Sequence, residues 1–388
     1  MRPLLMIPGP IEVSEAVQTA YSGPPPSHVS AGLIEDFGAS IEAMRTVWCA
    51  DADSQPFVIA GSGTIAMDVA VYNVVEPGDA VLVVNTGYFS DRMAEMLTRR
   101  GAAVTQVTAE PGDAPDNGDV HRELANGDFK ALFATHVDTS TGVRCDAATL
   151  AGLARRHGVL SVFDGVCATA GERFDMASWG ADVYLTSSQK AIGLPAGLAL
   201  MVASARAMRA REAMTVAPPM SLDWLQWQPI HRAYEERRGS YFSTPATTLI
   251  QALRVGLDEI LRDGGIEGRF VRHQRSADAF RAAWAAMGLQ LLPVRTDLAA
   301  NTLSAIRYPS GVGSELVGAI KARGVIVAGG LHPVLKTTYF RVGHMGNILE
   351  RPDDCVRVVS VVAEALESLG RPPCKDQAVA AFRAVLAD

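Results

Sequence analysis

Short apolar segments alternate with segments of helical periodicity over the first two thirds of this 388-residue chain. Most of the apolar segments are rich in Val, Ile, Leu and Phe and do not alternate with polar residues, which is typical of strands buried on both faces of a parallel sheet. We predict strands at residues 57–60, 80–85, 131–135, 160–164, 182–186 and 198–203, and helices at 64–75, 90–100 and 146–157. This alternation predicts an α/β fold with a mainly parallel sheet, whose sites lie beyond the carboxyl ends of its strands.

The order of elements changes near residue 262. A predicted helix at 247–261 is followed by a helix at 266–287, a strand at 301–307, a helix at 314–323, a strand near 338–342 and a helix at 352–369. Fewer strands, with helices on one side, predict a smaller α+β domain. We therefore expect an N-terminal arm (1–15), a large domain (16–262) and a small C-terminal domain (263–388). The proline-rich arm is too short to fold alone, so we expect it to pack on another part of the assembly.

Composition excludes several classes of protein. Hydrophobic residues make up 48% and charged residues 20%, whereas a disordered chain has low hydrophobicity and high net charge. The net charge of −7 argues against a nucleic-acid binder, and no apolar run reaches the roughly 18 residues that span a bilayer. The five scattered cysteines form no CxxC pair, which predicts neither a disulfide framework nor a metal site. Because no export signal is recognised, we expect a cytoplasmic protein that binds neither nucleic acid nor membrane.

The turn Gly61-Ser62-Gly63-Thr64 lies between a predicted strand and a predicted helix. Glycines let the backbone approach a ligand, and a helix N-terminus is a ready site for a phosphate. The run also fits the dinucleotide pattern G-x-G-x-x-A, but the next strand ends at Asn85-Thr86 without the acidic residue that would bind a ribose. No Gly-Lys-Ser/Thr follows, so the Walker pattern fails. A tight turn that binds nothing remains an alternative.

Two charged residues end predicted strands. Asp164 follows an apolar run and could be a metal ligand, a base, the partner of a protonated ring nitrogen, or only a helix N-cap. Lys190 lies in a Ser- and Gly-rich segment with no charged residue among the next ten, so it is either a desolvated nucleophile or a surface lysine. A phosphate cradle, an aspartate and a lysine together suit pyridoxal 5′-phosphate, which has a phosphate, a pyridine nitrogen and an aldehyde.

Several motifs follow one another in an order that resembles one family. They are Pro8-Gly9-Pro10, GSGT at 61–64, His136-x-x-x-Ser140-Thr141-Gly142, Phe163-Asp164-Gly165-Val166, Ser188-Gln189-Lys190, Tyr241-x-x-Thr244-Pro245, Arg272-His273 and Phe340-Arg341-Val342-Gly343-His344-x-Gly346. Over nearly its whole length the chain resembles the class V aminotransferases of fold type I, in particular the alanine–glyoxylate and serine–glyoxylate (serine–pyruvate) group. The resemblance implies a large domain with a mainly parallel seven-stranded sheet and a smaller C-terminal α+β domain.

The resemblance also implies a role for individual residues. Lys190 would hold the cofactor as an imine and move the proton between the substrate Cα and the cofactor, and Asp164 would keep the pyridine nitrogen protonated. Arg341 would bind the substrate carboxylate, with Gly9 also at the substrate. The other cofactor contacts implied are Ser62, Gly63, Thr64 and Gln189 at the phosphate, Phe89 (with Tyr88 as the neighbouring candidate) and Val166 on opposite faces of the ring, and Ser140 near the phenolic oxygen. His136 and His344 are expected to be structural.

The implied assembly is a homodimer with shared active sites, because Tyr241 and Thr244 would reach the phosphate bound by the partner subunit. The implied reaction is transamination from alanine or serine to glyoxylate or pyruvate, with ping-pong kinetics through pyridoxamine phosphate. Two positions depart from related sequences, since Glu12 stands where some members have Asn and His28-Val29 where many have His-Arg. Glu12 is expected to alter the polarity near the substrate entrance, and His28 is a weaker candidate for a substrate contact.

The sequence alone leaves four other activities to be considered. A 2-aminoethylphosphonate–pyruvate aminotransferase usually has Asn before the lysine, and a cysteine desulfurase or lyase usually has His, whereas this chain has Gln189. A desulfurase also needs a cysteine on a mobile loop, which neither Cys355 nor Cys374 fits well. A nicotinamide oxidoreductase would rest on the GSGT turn alone, and a non-catalytic binding module would not need Lys190.

Overall fold

The computed structural model describes residues 3–387; residues 1, 2 and 388, the outermost positions of the predicted arm and C-terminal domain, lie outside that range. The strands are β1 (Leu4–Leu5), β2 (Gln55–Gly61), β3 (Ala80–Asn85), β4 (Ala103–Thr108), β5 (Ala131–Thr135), β6 (Val137–Asp138), β7 (Val143–Arg144), β8 (Leu160–Asp164), β9 (Val183–Ser187), β10 (Gly197–Ala203), β11 (Leu303–Arg307), β12 (Val325–Ile326), β13 (Ala328–Gly329) and β14 (Tyr339–Gly343). The α-helices are α1 (Glu15–Ser22), α2 (Ala31–Val47), α3 (Gly63–Val74), α4 (Tyr88–Arg100), α5 (Asn117–Asn126), α6 (Ala147–Arg156), α7 (Met176–Trp179), α8 (Ala205–Glu212), α9 (Trp224–Glu235), α10 (Thr247–Leu261), α11 (Gly265–Ala286), α12 (Glu315–Ala322), α13 (Pro352–Ser368) and α14 (Lys375–Ala387).

A seven-stranded sheet with the order β2-β10-β9-β8-β5-β3-β4 forms the centre of the fold. All of its pairings are parallel except those of β10, which runs antiparallel to both β2 and β9. The predicted mainly parallel α/β sheet is confirmed, and all six predicted strands belong to it. The strand missing from the prediction is β4, an edge strand whose residues are exposed or half-buried, so its sequence lacks the continuous apolar run of a central strand.

Alternate side chains of the central strands enter two separate cores. Leu132 and Ala134 of β5 pack in one hydrophobic cluster, whereas Ala131 and Phe133 pack in the other. Side chains of a strand point alternately to the two faces of a sheet, and here both faces are covered. This double burial is the physical reason for the uninterrupted apolar runs. It also leaves the carboxyl edge, where β5, β8 and β9 end side by side, as the place for polar groups.

The C-terminal part of the chain contains a three-stranded antiparallel sheet with the order β11-β14-β13. The helices α11, α12, α13 and α14 supply its hydrophobic core, which includes Phe280, Trp284 and Phe382. The predicted strands at 301–307 and 338–342 correspond to β11 and β14. Helix α14 was not predicted, and neither were the two-residue strands β12 and β13, which are too short to show a periodicity.

The N-terminal arm packs on the C-terminal part of its own chain. Strand β1 pairs in parallel with β12, and Leu4 and Met6 are buried in the same core as α11 and α13. Glu12 was expected to influence the substrate entrance, but its carboxylate accepts a hydrogen bond from the Leu5 N–H (3.1 Å) and forms an ion pair with Arg351 (2.8 Å). Glu12 therefore holds the arm in place. Within residues 3–387, no helix is both long and apolar enough to cross a membrane.

Candidate active site

Lys190 lies in the connection between two neighbouring antiparallel strands, β9 and β10. Hydrogen bonds of Ser188 fix both ends of this connection, since its N–H donates to the Leu198 carbonyl (3.1 Å) and its hydroxyl donates to the Pro195 carbonyl (2.7 Å). The lysine side chain turns inward, is only 9% exposed and donates from Nζ to the Pro8 carbonyl of the arm. A surface lysine is therefore excluded.

Gly9 lies directly against the Lys190 side chain. Its φ of +95° is a conformation that side chains rarely adopt, and an added Cβ would lie 2.4 Å from Lys190 Cδ and 2.8 Å from Nζ. Only glycine leaves this space, which explains the need for glycine in the Pro8-Gly9-Pro10 motif. The predicted substrate residue and the predicted catalytic lysine thus occupy one site.

Burial changes the protonation of both charged groups at the sheet edge. Burial lowers the pKa of the Lys190 amine. The positive charge of Arg341 lowers this pKa further, whereas the nearby Cys167 and Asp164 raise it. Burial raises the pKa of Asp164 to about 6, and the neighbouring Asp138 adds to this effect, while the Val166 N–H, Lys190 and Arg92 oppose it. A lysine with a lowered pKa has more of the neutral amine that acts as a nucleophile or base.

Asp164 is the last residue of β8 and is 2% exposed. One carboxylate oxygen, Oδ1, accepts a hydrogen bond from the Val166 N–H at 2.9 Å. The other oxygen, Oδ2, has no hydrogen-bond donor among residues 3–387. Asp164 is followed by turns and not by a helix, so the N-cap alternative is wrong, and an oxygen is left to accept a hydrogen bond from a ligand.

The turn before α3 brings backbone donors to the same edge. Ser62 is the N-cap of α3, but its side chain makes no capping hydrogen bond. An added Cβ at Gly63 would lie 2.8 Å from a Val166 methyl group and 3.5 Å from the Ser187 hydroxyl oxygen. The helix N-terminus therefore faces the ends of β8 and β9, where its free N–H groups favour an anion.

Two buried polar atoms at and just after the end of β9 lack partners within residues 3–387. They are the hydroxyl oxygen of Ser187 and the side-chain oxygen of Gln189. Buried polar groups in proteins are nearly always hydrogen-bonded, so such atoms point to a ligand that completes the site. Gln189 was predicted at the phosphate, whereas Ser187 was not, although it ends β9 as Asp164 ends β8.

Asp138 joins two of the predicted cofactor residues and was missed by the sequence analysis. Its Oδ2 accepts hydrogen bonds from the N–H groups of Phe89 (3.0 Å) and Ser90 (3.3 Å) at the start of α4. Its Oδ1 accepts from the Ser140 hydroxyl (2.6 Å) and from the Ser140 N–H (2.9 Å). The Ser140 oxygen in turn accepts from the Tyr88 N–H at 3.1 Å. The spacing of an acid two residues before Ser140 was the available signal.

Arg341 lies on β14 and is held by backbone carbonyls. Its Nε donates to the Gly329 carbonyl (2.9 Å) and its Nη1 to the Thr139 carbonyl (3.0 Å), and the residue is 9% exposed. No carboxylate lies within ion-pair distance of Arg341 in the described part of the chain. A surface ion pair is therefore excluded, and a buried guanidinium without a counter-ion suits a carboxylate ligand.

Four further residues were predicted or considered as parts of the site, and one of them, His136, lies beside Asp164, whose carbonyl accepts a hydrogen bond from its N–H (2.9 Å). Tyr241 is 63% exposed, with its ring centroid 5.4 Å from that of His28, and Thr244 is exposed as well. His136 bonds to the Tyr184 hydroxyl (2.9 Å) and His344 to the Ser304 hydroxyl (2.9 Å). Burial lowers the pKa of both histidines to about 3, so they are neutral, in keeping with a structural role.

The arrangement fits pyridoxal 5′-phosphate. A buried lysine amine, a carboxylate with an available oxygen, a helix N-terminus and two unpartnered polar side chains lie at one edge of the sheet. These groups match the aldehyde, the ring nitrogen and the phosphate of the cofactor. Within the described residues, no group of three His, Cys, Asp or Glu side chains is arranged to hold a metal ion.

Several known proteins that are similar to this chain in sequence and fold are named as aminotransferases. A profile of the family described as aminotransferase class V matches residues 27–345. Alanine–glyoxylate aminotransferase 1 of Saccharomyces cerevisiae is 36% identical over 358 residues, which cover 88% of this chain and 91% of the yeast protein. L-aspartate–glyoxylate aminotransferase of Paracoccus denitrificans is 32% identical over 354 residues, which cover 89% of this chain and 87% of the Paracoccus protein. The crystal structure of ureidoglycine–glyoxylate aminotransferase from Bacillus subtilis superposes with a TM-score of 0.91 at 25% identity, covering 100% of this chain and 99% of that one. The chain therefore belongs to the class V aminotransferases of fold type I and is an aminotransferase that depends on pyridoxal 5′-phosphate.

Proposed function

We propose that this aminotransferase moves the amino group of alanine or serine to glyoxylate or pyruvate. The observation that carries the proposal is the buried Arg341 guanidinium, which has no counter-ion in the described residues and lies close enough to Lys190 to affect its pKa. A substrate carboxylate on Arg341 would bring the adjacent α-carbon to the Lys190 amine. The yeast relative, which is named for alanine and glyoxylate, supports the choice of small substrates.

The residues of this chain would divide the work as follows. When bound, pyridoxal 5′-phosphate supplies a carbonyl carbon that takes up the amino group and a ring that withdraws electrons from the substrate Cα–H bond. Lys190 Nζ, whose pKa is lowered by burial, would take the proton from the substrate Cα and deliver it to the former aldehyde carbon of the cofactor. Asp164 holds a proton at the ring nitrogen. Arg341 orients the substrate through its carboxylate.

We propose that the phosphate lies in a cradle, defined here as Ser62, Gly63, Thr64 and Gln189. The free N–H groups at the start of α3 favour an anion there. Phe89 and Val166 would cover the two faces of the cofactor ring, and Ser140 would lie near its phenolic oxygen. Asp138 is a positioning residue in this proposal, because it accepts hydrogen bonds from both Phe89 and Ser140.

A panel of half-reactions tests the substrates. We expect the visible absorption of the bound cofactor to disappear fastest with alanine or serine, and to return when glyoxylate or pyruvate is added. Initial rates at several concentrations of both substrates should give parallel lines, since the donor product leaves before the acceptor binds. A faster reaction with aspartate, or intersecting lines, would contradict the proposal.

The same panel separates the alternative activities. A desulfurase would convert cysteine to alanine and pass the sulfur to an enzyme thiolate as a persulfide. Cys355 is buried in α13, and burial raises its pKa to about 12, which disfavours the reactive thiolate. Formation of alanine from cysteine with a persulfide on the enzyme, or amino transfer from 2-aminoethylphosphonate faster than from alanine, would replace the present proposal.

We propose further that the protein is a homodimer in which Tyr241 and Thr244 reach the partner's phosphate cradle. Both residues are exposed in the single chain. Tyr241, whose ring contacts that of His28, and Val29, the residue after His28, are large apolar residues that are 63% and 56% exposed, and exposed apolar surfaces mark contacts between proteins.

Complementation between two defective chains tests this assembly. In a mixed dimer of Lys190→Ala and Tyr241→Ala chains, one of the two sites would contain an intact Lys190 from one chain and an intact Tyr241 from the other. Each mixed dimer should therefore have about half the activity of a wild-type dimer. A mixture of Lys190→Ala and Asp164→Ala chains is the control and should remain inactive, because both residues belong to the same site. No recovery in the first mixture, or a monomeric mass, would refute the shared site.

We also propose the division into an arm (1–15), a large domain (16–262) and a small domain (263–388), and a cytoplasmic location. Two hydrophobic clusters support the division, since one lies mainly before residue 262 and the other mainly after it. Ile266 and Phe270 nevertheless belong to the first cluster, and the arm contributes Leu4 and Met6 to the second. The five cysteines, all with free thiols, support a reducing compartment.

A further inference from the structure

Arg92 extends from α4 to the phosphate cradle. Its Nη1 donates a hydrogen bond to the Thr64 hydroxyl at 3.3 Å, and its Nη2 donates to the Tyr88 hydroxyl at 3.0 Å. The guanidinium carbon lies 5.0 Å from the ring centroids of both Tyr88 and Phe89. Two hydrogen bonds and two cation–π contacts fix this side chain beside the turn before α3.

The charge of Arg92 has no counter-ion in the described residues. No carboxylate among residues 3–387 lies within ion-pair distance of its guanidinium, whereas Arg99, two turns further along the same helix, is paired with Glu95. The nearest acid in sequence, Asp91, accepts a hydrogen bond from Asn85 instead. A guanidinium stays charged at physiological pH, so an ordered cation without a partner indicates a place for an anion.

The phosphate of the cofactor provides such an anion. A phosphate ester carries a charge of about −1.5 to −2 at pH 7, and a helix N-terminus supplies only about +0.5. The other two cations of the site have separate duties, Lys190 at the aldehyde and Arg341 at the substrate. The cradle alone therefore leaves negative charge uncompensated.

We propose that Arg92 binds the phosphate of pyridoxal 5′-phosphate and completes the charge balance of the cradle. The inference rests on the cradle proposed above. Thr64 and the two aromatic rings hold the guanidinium at the position where the phosphate arrives, so little side-chain freedom is lost on binding. Phe89 would then link the ring and the phosphate, since it contacts both the cofactor ring and Arg92.

The affinity of the cofactor-free protein for two ligands tests the role of Arg92. Pyridoxal 5′-phosphate and pyridoxal differ only in the phosphate, and binding of each can be followed by absorbance. We expect Arg92→Gln to weaken pyridoxal 5′-phosphate binding by about tenfold to a hundredfold, as for one charge-assisted hydrogen bond, and pyridoxal binding by less than twofold. Arg92→Lys should restore part of the loss. Arg99→Gln, on the exposed side of the same helix, should change neither affinity.

The cradle needs its own variant, so that the two proposals can fail separately. Combined Ser62→Ala and Thr64→Val substitutions should also lower the affinity for pyridoxal 5′-phosphate selectively. If they do and Arg92→Gln does not, the inference about Arg92 is wrong and the cradle stands. If neither variant discriminates between the two ligands, the cradle itself is wrong. If Arg92→Gln weakens the binding of both ligands equally, Arg92 only packs the aromatic rings and the inference is overturned.

Discussion

Replacement of Lys190 by alanine is expected to reduce turnover by about 10⁴-fold while the protein still binds the cofactor. The substitution removes both the amine that would hold the aldehyde and the base that would move the Cα proton. The cradle, Asp164 and Arg341 remain, so noncovalent binding should persist. Because Gly9 packs on the lysine side chain, truncation leaves a small cavity, and the unfolding temperature should be measured alongside.

Borohydride trapping separates this role from a structural one. The wild-type protein should become irreversibly labelled when reduced with the cofactor present, and Lys190→Ala should not. Lys321→Ala, an exposed lysine on α12, is the matched control and should be labelled and active as the wild type is. Covalent labelling or undiminished turnover of Lys190→Ala would show that another amine performs this chemistry.

Asp164→Asn is expected to slow Cα deprotonation by about 10³-fold and to weaken cofactor binding. Asparagine keeps the size of the side chain but cannot hold the ring nitrogen in its protonated form through a negative charge. Single-turnover rates with deuterated and protiated substrate measure this step directly. Asp128→Asn, an exposed substitution, should have no effect on the rate. An unchanged rate in Asp164→Asn would remove this residue from the mechanism.

The same substitution should stabilise the cofactor-free protein. Burial raises the pKa of Asp164 to about 6, above its ordinary value of 3.8, so the fold favours the protonated acid. The unfolded chain releases that proton more readily, and the penalty on folding grows as the pH rises from about 4 to 6 and stays constant above it. The difference between the two pKa values lowers the free energy of unfolding by about 3 kcal/mol above pH 6.

Thermal unfolding without cofactor checks the sign of this effect. At pH 8, Asp164→Asn should unfold at a higher temperature than the wild type, and the difference should vanish below about pH 4. With cofactor present the order should reverse, because the wild type gains a partner for its carboxylate. A less stable variant at pH 8 in the absence of cofactor would contradict the assignment of the raised pKa.

Much of the fold could be predicted because strands that are buried on both faces of the sheet have continuous apolar sequences. Central strands such as β5 and β8 need apolar residues on both faces, and the positions directly after them face the edge where a ligand can bind. Asp164 could be identified for this reason, and Lys190 because it follows β9 closely. Strand β4 could not, since an edge strand with one partner and partial exposure has no such requirement.

The missed parts of the site depend on contacts through space. Asp138 and Phe89 are 49 residues apart, and only the fold brings the carboxylate to the start of α4. Arg92 carries no local signal either, because a charged residue in the first turns of a helix is ordinarily exposed. Likewise, the arm was expected on another part of the assembly, and its two-residue pairing with β12 was too short to be anticipated from periodicity.

The reversed direction of β10 limits how the proton carrier can move. Since β9 and β10 are neighbours in the sheet and Ser188 ties the connection to Pro195 and Leu198, the backbone under Lys190 is tethered at both ends. Any swing of the amine between its two duties must come from rotation about the four single bonds of its own side chain. Relocating the base therefore requires the Lys190 amine to leave the Pro8 carbonyl, but no rearrangement of the backbone that carries it.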